Sequence, residues 1–227
     1  MKHELARNTA QTTAVLVLRI LTQGAILIAS ARLLGPGTYG VYVAATALAA
    51  VLGIIPCLGA GYVMLARPDS GQTAASEVWR YAWPLSLTIG LVLCLFYVPL
   101  AFVLGGSNSL PPHVLWVIAA TELLIAPIGV LLSNTLQAVQ QVPLSQLTLW
   151  ASLSLRALFM VPFFFTNSTV DVFLLVSLQA TATFLGLILI AGFAHSRVNL
   201  GGRPRLILLS ELKLGSSYSV MHLMAAN

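Results

Sequence analysis

Charged residues are scarce in this sequence. Aspartate, glutamate, lysine and arginine make up only 7% of its 227 residues, whereas 58% of the residues are hydrophobic. A water-soluble domain carries about 25% charged residues. So few charges cannot cover the surface of a soluble domain of this length. The composition therefore excludes that class and predicts an integral membrane protein.

Cysteine and acidic residues are also few. The two cysteines, Cys57 and Cys94, both lie within apolar runs and are interpreted as small core residues. The sequence contains no cluster with metal-ligand spacing, no nucleophile elbow and no phosphate-binding loop, so we expect neither an enzyme nor a bound cofactor or metal. The net charge of +5 sits mainly in loops between apolar runs. That placement is typical of membrane orientation signals and does not indicate nucleic-acid binding.

Long apolar runs make up most of the sequence. A helix needs about 20 largely apolar residues to cross a bilayer. Continuous apolar character favours helices over barrel strands, which alternate over about 10 residues. The sequence thus predicts an all-α protein with six transmembrane helices, in which the internal prolines mark kinks. The predicted spans are residues 13–34, 41–66, 80–104, 114–139, 144–165 and 170–194.

The basic residues of the loops predict the orientation of these spans. Eight of them fall on one side of the membrane, and only Arg32 falls on the other. Positive charge accumulates on the cytoplasmic side, so the N-terminus is predicted to be cytoplasmic in a multi-pass protein of the cytoplasmic membrane. The eight are Lys2, Arg7, Arg67, Arg80, Arg197, Arg203, Arg205 and Lys213.

Three regions follow from this layout. Residues 1–194 are predicted to form one six-helix lobe. Residues 195–213 are predicted to form a basic cytoplasmic connection, either an interfacial amphipathic helix or a plain loop. Residues 214–227 look like the start of a seventh helix that is too short to span, so we expect the chain to be a fragment of a longer protein.

Three ionisable residues fall inside predicted spans: Arg19, Glu122 and Arg156. Charges at membrane depth are costly and usually functional. Polar residues at helical spacing accompany them, including Gln23 in the first helix and Ser152 in the fifth. One interpretation is a shared cavity in which Arg19, Gln23, Glu122 and Arg156 bind substrate. The other is that Glu122 pairs with one arginine and joins helices without a transport role.

The stretch Ala-Arg-Leu-Leu-Gly-Pro-Gly-Thr-Tyr-Gly-Val-Tyr, residues 31–42, connects the first two spans. Glycine can adopt positive φ and proline fixes φ, so a tight turn is predicted, and the tyrosines suit a membrane–water boundary. The stretch resembles the polysaccharide-biosynthesis (Wzx-type) flippases of the multidrug/oligosaccharidyl-lipid/polysaccharide exporter superfamily. The motif positions that carry the resemblance are Arg32, Gly35, Pro36, Tyr39 and Gly40.

The resemblance implies one lobe of a two-lobed exporter with an alternating V-shaped cavity. It implies a polyprenyl-pyrophosphate-linked oligosaccharide as substrate, contact with membrane lipids, and glycan polymerase or glycosyltransferase machinery as protein partners. It also implies that Arg19 lines a cationic cavity. The alternatives are a cation-coupled multidrug exporter of the same superfamily, a membrane-embedded glycan polymerase or ligase, and a non-functional flippase fragment. Two arginines against one glutamate inside the helices favour an anionic substrate over cationic drugs.

Overall fold

The computed structural model describes residues 2–66, 72–106, 109–164 and 170–198, together with positions 200, 203–205, 207, 211, 215 and 217. All regular structure in these residues is helical. The eight α-helices of this described part are α1 (Lys2–Leu34), α2 (Pro36–Leu52), α3 (Ala60–Ala66), α4 (Gln72–Gly105), α5 (Pro112–Ala119), α6 (Ala126–Ala138), α7 (Val142–Phe164) and α8 (Val172–Arg197). A π-helical segment, Ala120–Ile125, joins α5 and α6 into one continuous helix, Pro112–Ala138.

Five of the described helices are long and apolar enough to cross a membrane: those that begin at Thr9, Gln72, Pro112, Val142 and Val172. They correspond to the first, third, fourth, fifth and sixth predicted spans, so the all-helical membrane class is confirmed. The predicted total of six such helices is not confirmed. The predicted seventh helix lies mostly outside the described residues.

The second predicted span, residues 41–66, is divided rather than continuous, which corrects the expectation of one long helix there. Helix α2 has only 17 residues, and turns occupy 53–59 before α3 begins. Pro56 cannot donate a helical hydrogen bond, and Leu58 and Gly59 adopt positive φ of 39° and 69°. In the sequence, this break is indicated by Pro56, which lies between Gly53 and Gly59.

Contacts between helix ends show how the chain alternates across the bundle. At one end, the Val170 N–H donates to Leu33 O at 3.1 Å, which places the start of α8 beside the end of α1. At the other end, the Gln72 side-chain amide donates to Arg197 O at 3.1 Å, which places the start of α4 beside the end of α8. The broken α2–α3 segment therefore carries the chain from one end of the bundle to the other.

Close helix approaches depend on glycine at three positions. A Cβ added at Gly186 of α8 would lie 2.8 Å from the Cβ of Ser152 in α7. A Cβ on Gly53 would lie 2.8 Å from the Glu122 backbone oxygen, and a Cβ on Gly90 of α4 would lie closer still to the Leu123 backbone oxygen. The π-helical segment is therefore held between the end of α2 and the middle of α4, which positions the side chain of Glu122.

Large apolar side chains cover much of the outer surface. Phe96 on α4 is 69% exposed, and Ile20 and Ile28 on α1 are similarly exposed. Polar residues such as Ser86, Ser133 and Thr135 are instead buried. An apolar exterior around a partly polar interior is the distribution expected of a helical bundle surrounded by lipid.

Candidate functional site

Glu122 lies in the π-helical segment, and Pro127 explains the local geometry. Proline has no N–H, so Pro127 cannot bond to the carbonyl four residues earlier, that of Leu123. Just before it, the Ala126 N–H donates to Thr121 O, a bond across five residues instead of four. Single π turns inside α-helices are frequent at functional sites. The sequence interpretation expected a kink from Pro127 but not this change of helix type.

Arg156 of α7 contacts both Glu122 and α8. Its Nη2 lies 3.4 Å from Glu122 Oε1, and its Nε donates to Thr183 Oγ1 at 2.7 Å. The side chains of Arg156 and Glu122 are 19% and 24% exposed, respectively. The ion pair is therefore loose and open on one side, so part of the guanidinium fork remains available to a ligand.

Two α8 residues continue this polar network. The Thr183 hydroxyl donates to Gln179 O at 2.7 Å, and the Tyr42 hydroxyl donates to Gln179 Oε1 at 2.6 Å. Sequence reasoning missed Gln179 and Thr183, although two polar residues four positions apart in an apolar helix were a usable signal. It also placed Tyr42 at the membrane boundary, whereas its side chain is buried, with 8% of its surface exposed.

Arg19 and Gln23 lie one helical turn apart on α1, which packs against α7; Arg19 is half-buried and Gln23 is exposed. Both line a cavity of about 170 Å³ together with Arg156 and Thr183. Among the described residues, no carboxylate is paired with Arg19. The carboxylate of Glu122 is paired with Arg156 instead. Within the described part of the chain, the charge of Arg19 is thus not compensated by a carboxylate.

Two further cavities share these lining residues. One, of about 490 Å³, lies between Arg19, Glu122 and Asn134 on one side and the broken segment of α2–α3 on the other. Irregular backbone at membrane depth is tolerated where it lines a cavity, which accounts for the turns at 53–59. The other, of about 360 Å³, is lined by Gln23, Glu122 and Arg156 together with Tyr42 and Gln179. The four predicted substrate-binding residues therefore line three cavities that share lining residues.

Some polar residues inside the helices contact other helices instead of lining these cavities. Ser133 of α6 donates to Ser145 Oγ of α7 at 3.2 Å, and both side chains are fully buried. The Trp150 indole N–H donates to Thr22 Oγ1 at 3.1 Å and links α7 to α1. These contacts join neighbouring helices, as polar side chains often do inside membranes.

The motif residues lie at and on either side of the turn between α1 and α2, and none of them lines the cavities beside Arg19 and Arg156. Gly35 has φ of 73°, and its N–H donates to Ala31 O at 3.1 Å. Pro36 is the first residue of α2, where its missing N–H costs nothing. Tyr39 is half-buried, and Arg32 and Gly40 are exposed. The turn positions α2, and α2 in turn carries Tyr42 into the cavity wall.

The cavity lining is chemically suited to an anion. It presents two guanidinium groups, one carboxylate already engaged with Arg156, and neutral polar groups from Gln23 and Gln179. Arginine binds phosphate oxygens through a planar fork of donors. Among the described residues, no group of three histidine, cysteine, aspartate or glutamate side chains could hold a metal ion.

Five apolar helices of spanning length around interior cavities are the architecture of a multi-pass membrane protein. Residues 29–213 match the family model described as "Polysaccharide biosynthesis protein", and the chain belongs to that family. The resemblance inferred from residues 31–42 is thereby confirmed. No curated protein and no solved structure matches the chain. The matched region includes Glu122, Arg156 and Gln179, while Arg19 and Gln23 precede it.

Proposed function

We propose that this chain is the N-terminal lobe of an exporter that moves polyprenyl-pyrophosphate-linked oligosaccharide across the cytoplasmic membrane for cell-surface polysaccharide synthesis. Arg19 and Arg156 bind the pyrophosphate, Gln23 adds a neutral hydrogen-bonding group, and Glu122 holds Arg156 between substrate-binding events. The N-terminus is cytoplasmic. Glycan polymerase or glycosyltransferase proteins are the expected partners at either face of the membrane.

The uncompensated charge of Arg19 is the observation that most supports this proposal. A central arginine costs at least about 2.5 kcal/mol in a bilayer, so a protein retains one there when it serves a ligand or a partner. Arg19 lines two of the cavities and has no carboxylate partner among the described residues. A mobile pyrophosphate would supply the missing negative charge during transport.

The alternative proposal is a cation-coupled drug exporter, which needs an acidic group open to a cationic drug. Within the described part of the chain, the carboxylate that lines these cavities is Glu122, and its Oε1 already lies 3.4 Å from Arg156. The local charge balance therefore favours an anionic cargo. Membership of the polysaccharide biosynthesis family favours a glycan cargo over a drug.

Export in cells lacking the gene tests the proposal. Cells without the gene should accumulate lipid-linked oligosaccharide and lose surface glycan, and the wild-type gene should reverse both effects. An Arg19→Ala gene should yield inserted protein at normal level without restoring export. Arg32→Ala, at the exposed C-terminal end of α1 and outside the cavities, is the matched control and should restore export. Full export by Arg19→Ala would remove Arg19 from the proposed site.

A further inference from the structure

Gln179 has a donor group for which the described structure offers no acceptor. Its side-chain Nε2 is buried and forms no hydrogen bond within that structure, and the whole residue is only 8% exposed. A buried, unpaired amide donor costs about 1–3 kcal/mol. Native proteins rarely retain such a group without a structural or functional reason. The unpaired donor lies in α8, beside the residues that hold Arg156.

Neighbouring hydrogen bonds fix the orientation of this amide. The Tyr42 hydroxyl donates to Gln179 Oε1 at 2.6 Å, so the amide nitrogen is directed away from Tyr42. Rotating the amide by half a turn would let Nε2 donate to the Tyr42 oxygen, but it would leave the Tyr42 proton without its acceptor and Oε1 unpaired, so the number of unpaired groups would not fall. The two N–H donors of this amide are therefore held in a defined direction, with no acceptor among the described residues.

The surroundings of Gln179 connect it to the proposed pyrophosphate site. Gln179 lines the cavity of about 360 Å³ that also contains Arg156 and Gln23. The Arg156 Nε is bonded to Thr183, one helical turn further along α8, and Thr183 in turn bonds to the Gln179 backbone. A ligand group next to a phosphate on Arg156 would thus share a cavity with the side chain of Gln179.

We propose that Gln179, oriented by Tyr42, is a specificity-determining residue that donates to an uncharged oxygen of the sugar directly attached to the pyrophosphate. This inference rests on the proposed function and adds the recognition of the sugar to it. A neutral amide matches a hydroxyl or acetamido oxygen, while the arginines match the charged phosphates. A lipid pyrophosphate without sugar would leave the donor unpaired, so the site would discriminate against it.

Binding to the purified protein in lipid nanodiscs tests this inference with two probes, farnesyl pyrophosphate and the same lipid carrying one N-acetylglucosamine. Wild-type protein should bind the glycosylated probe about tenfold more tightly, the factor expected when one buried donor gains its acceptor. Gln179→Met should bind both probes alike, at the wild-type affinity for the unglycosylated one. Gln146→Met is the matched control. Gln146 also has a buried unpaired atom, its Oε1, but it lines none of the three cavities that contain Arg19 or Arg156.

The possible failures are distinguishable. If wild-type protein binds neither probe, the proposed function fails and the inference fails with it. If both probes bind equally to wild-type protein, or if Gln179→Met keeps the tenfold preference, the inference alone fails.

A second measurement needs no ligand. The small cavity of about 10 Å³ beside Tyr42 and Gln179 has room for one water molecule at most. If such a water satisfies the amide, the Tyr42→Phe/Gln179→Met double variant should melt several degrees below wild type in detergent, which would overturn the inference. We expect instead an unchanged or raised melting temperature, because the double variant removes the unpaired amide donors and their hydroxyl partner together.

Discussion

The Arg156 guanidinium lies between Glu122 and Thr183, with Nη2 at 3.4 Å from the carboxylate and Nε at 2.7 Å from the hydroxyl. The hydrogen bond to the neutral Thr183 hydroxyl is therefore shorter than the contact with the charged Glu122 carboxylate. Three helical elements, α7, α8 and the π-helical segment, therefore meet at one arginine whose charge is only loosely compensated. This arrangement suits a residue that must exchange its protein carboxylate for a ligand phosphate.

A double-variant cycle on Arg156 and Glu122 separates substrate binding from helix joining. We predict a coupling free energy below about 1 kcal/mol, since both side chains are partly exposed and the pair is long. Arg156→Gln should insert normally but fail to export, and adding Glu122→Gln should not restore export. Thermal unfolding of the four proteins in detergent and their export in cells are the measurements. Rescue of both stability and export in the double variant would show that the pair is structural.

Reporter fusions test the orientation. The basic loops predict that a reporter fused after residue 213 is cytoplasmic and that one inserted at residue 107 is outside. The structure adds that the start of α4 and the end of α8 lie on the same side, through the Gln72–Arg197 contact. A reporter inserted after residue 71 should therefore behave like the one after 213. The opposite pattern at these sites would overturn the orientation.

Two glycines of α8 test the close approach of α7 and α8. Gly186→Ala should destabilise the protein by about 1–3 kcal/mol, because its Cβ would lie 2.8 Å from the Ser152 Cβ. Gly192→Ala is the matched control in the same helix, and nothing lies within 4 Å of its added Cβ. It should be neutral or slightly stabilising, since alanine favours a helix over glycine. Equal melting temperatures for the two variants would contradict the close contact between α7 and α8.

Apolar run length was sufficient to predict the five long helices, because a bilayer imposes its thickness on them. It failed at residues 41–66, where Gly53, Pro56 and Gly59 interrupt the helix without lowering the hydropathy of the run. Periodicity placed Arg19 and Gln23 on one face of α1. It could not show that Glu122 pairs with Arg156 rather than Arg19, since that choice depends on which helices are neighbours.

The central claim is that the cavity beside Arg19 and Arg156 selects anionic lipid headgroups. Binding of farnesyl pyrophosphate, farnesyl phosphate, farnesol and a quaternary ammonium drug to the purified protein in nanodiscs tests it most directly. We predict that affinity falls in that order among the three lipids and that the cation binds weakest. Arg19→Gln should reduce the preference for pyrophosphate at least about tenfold, the loss expected when one charge-assisted bond is removed, while Arg32→Gln should keep it. Tighter binding of the cation than of the pyrophosphate, or an unchanged preference in Arg19→Gln, would contradict the claim.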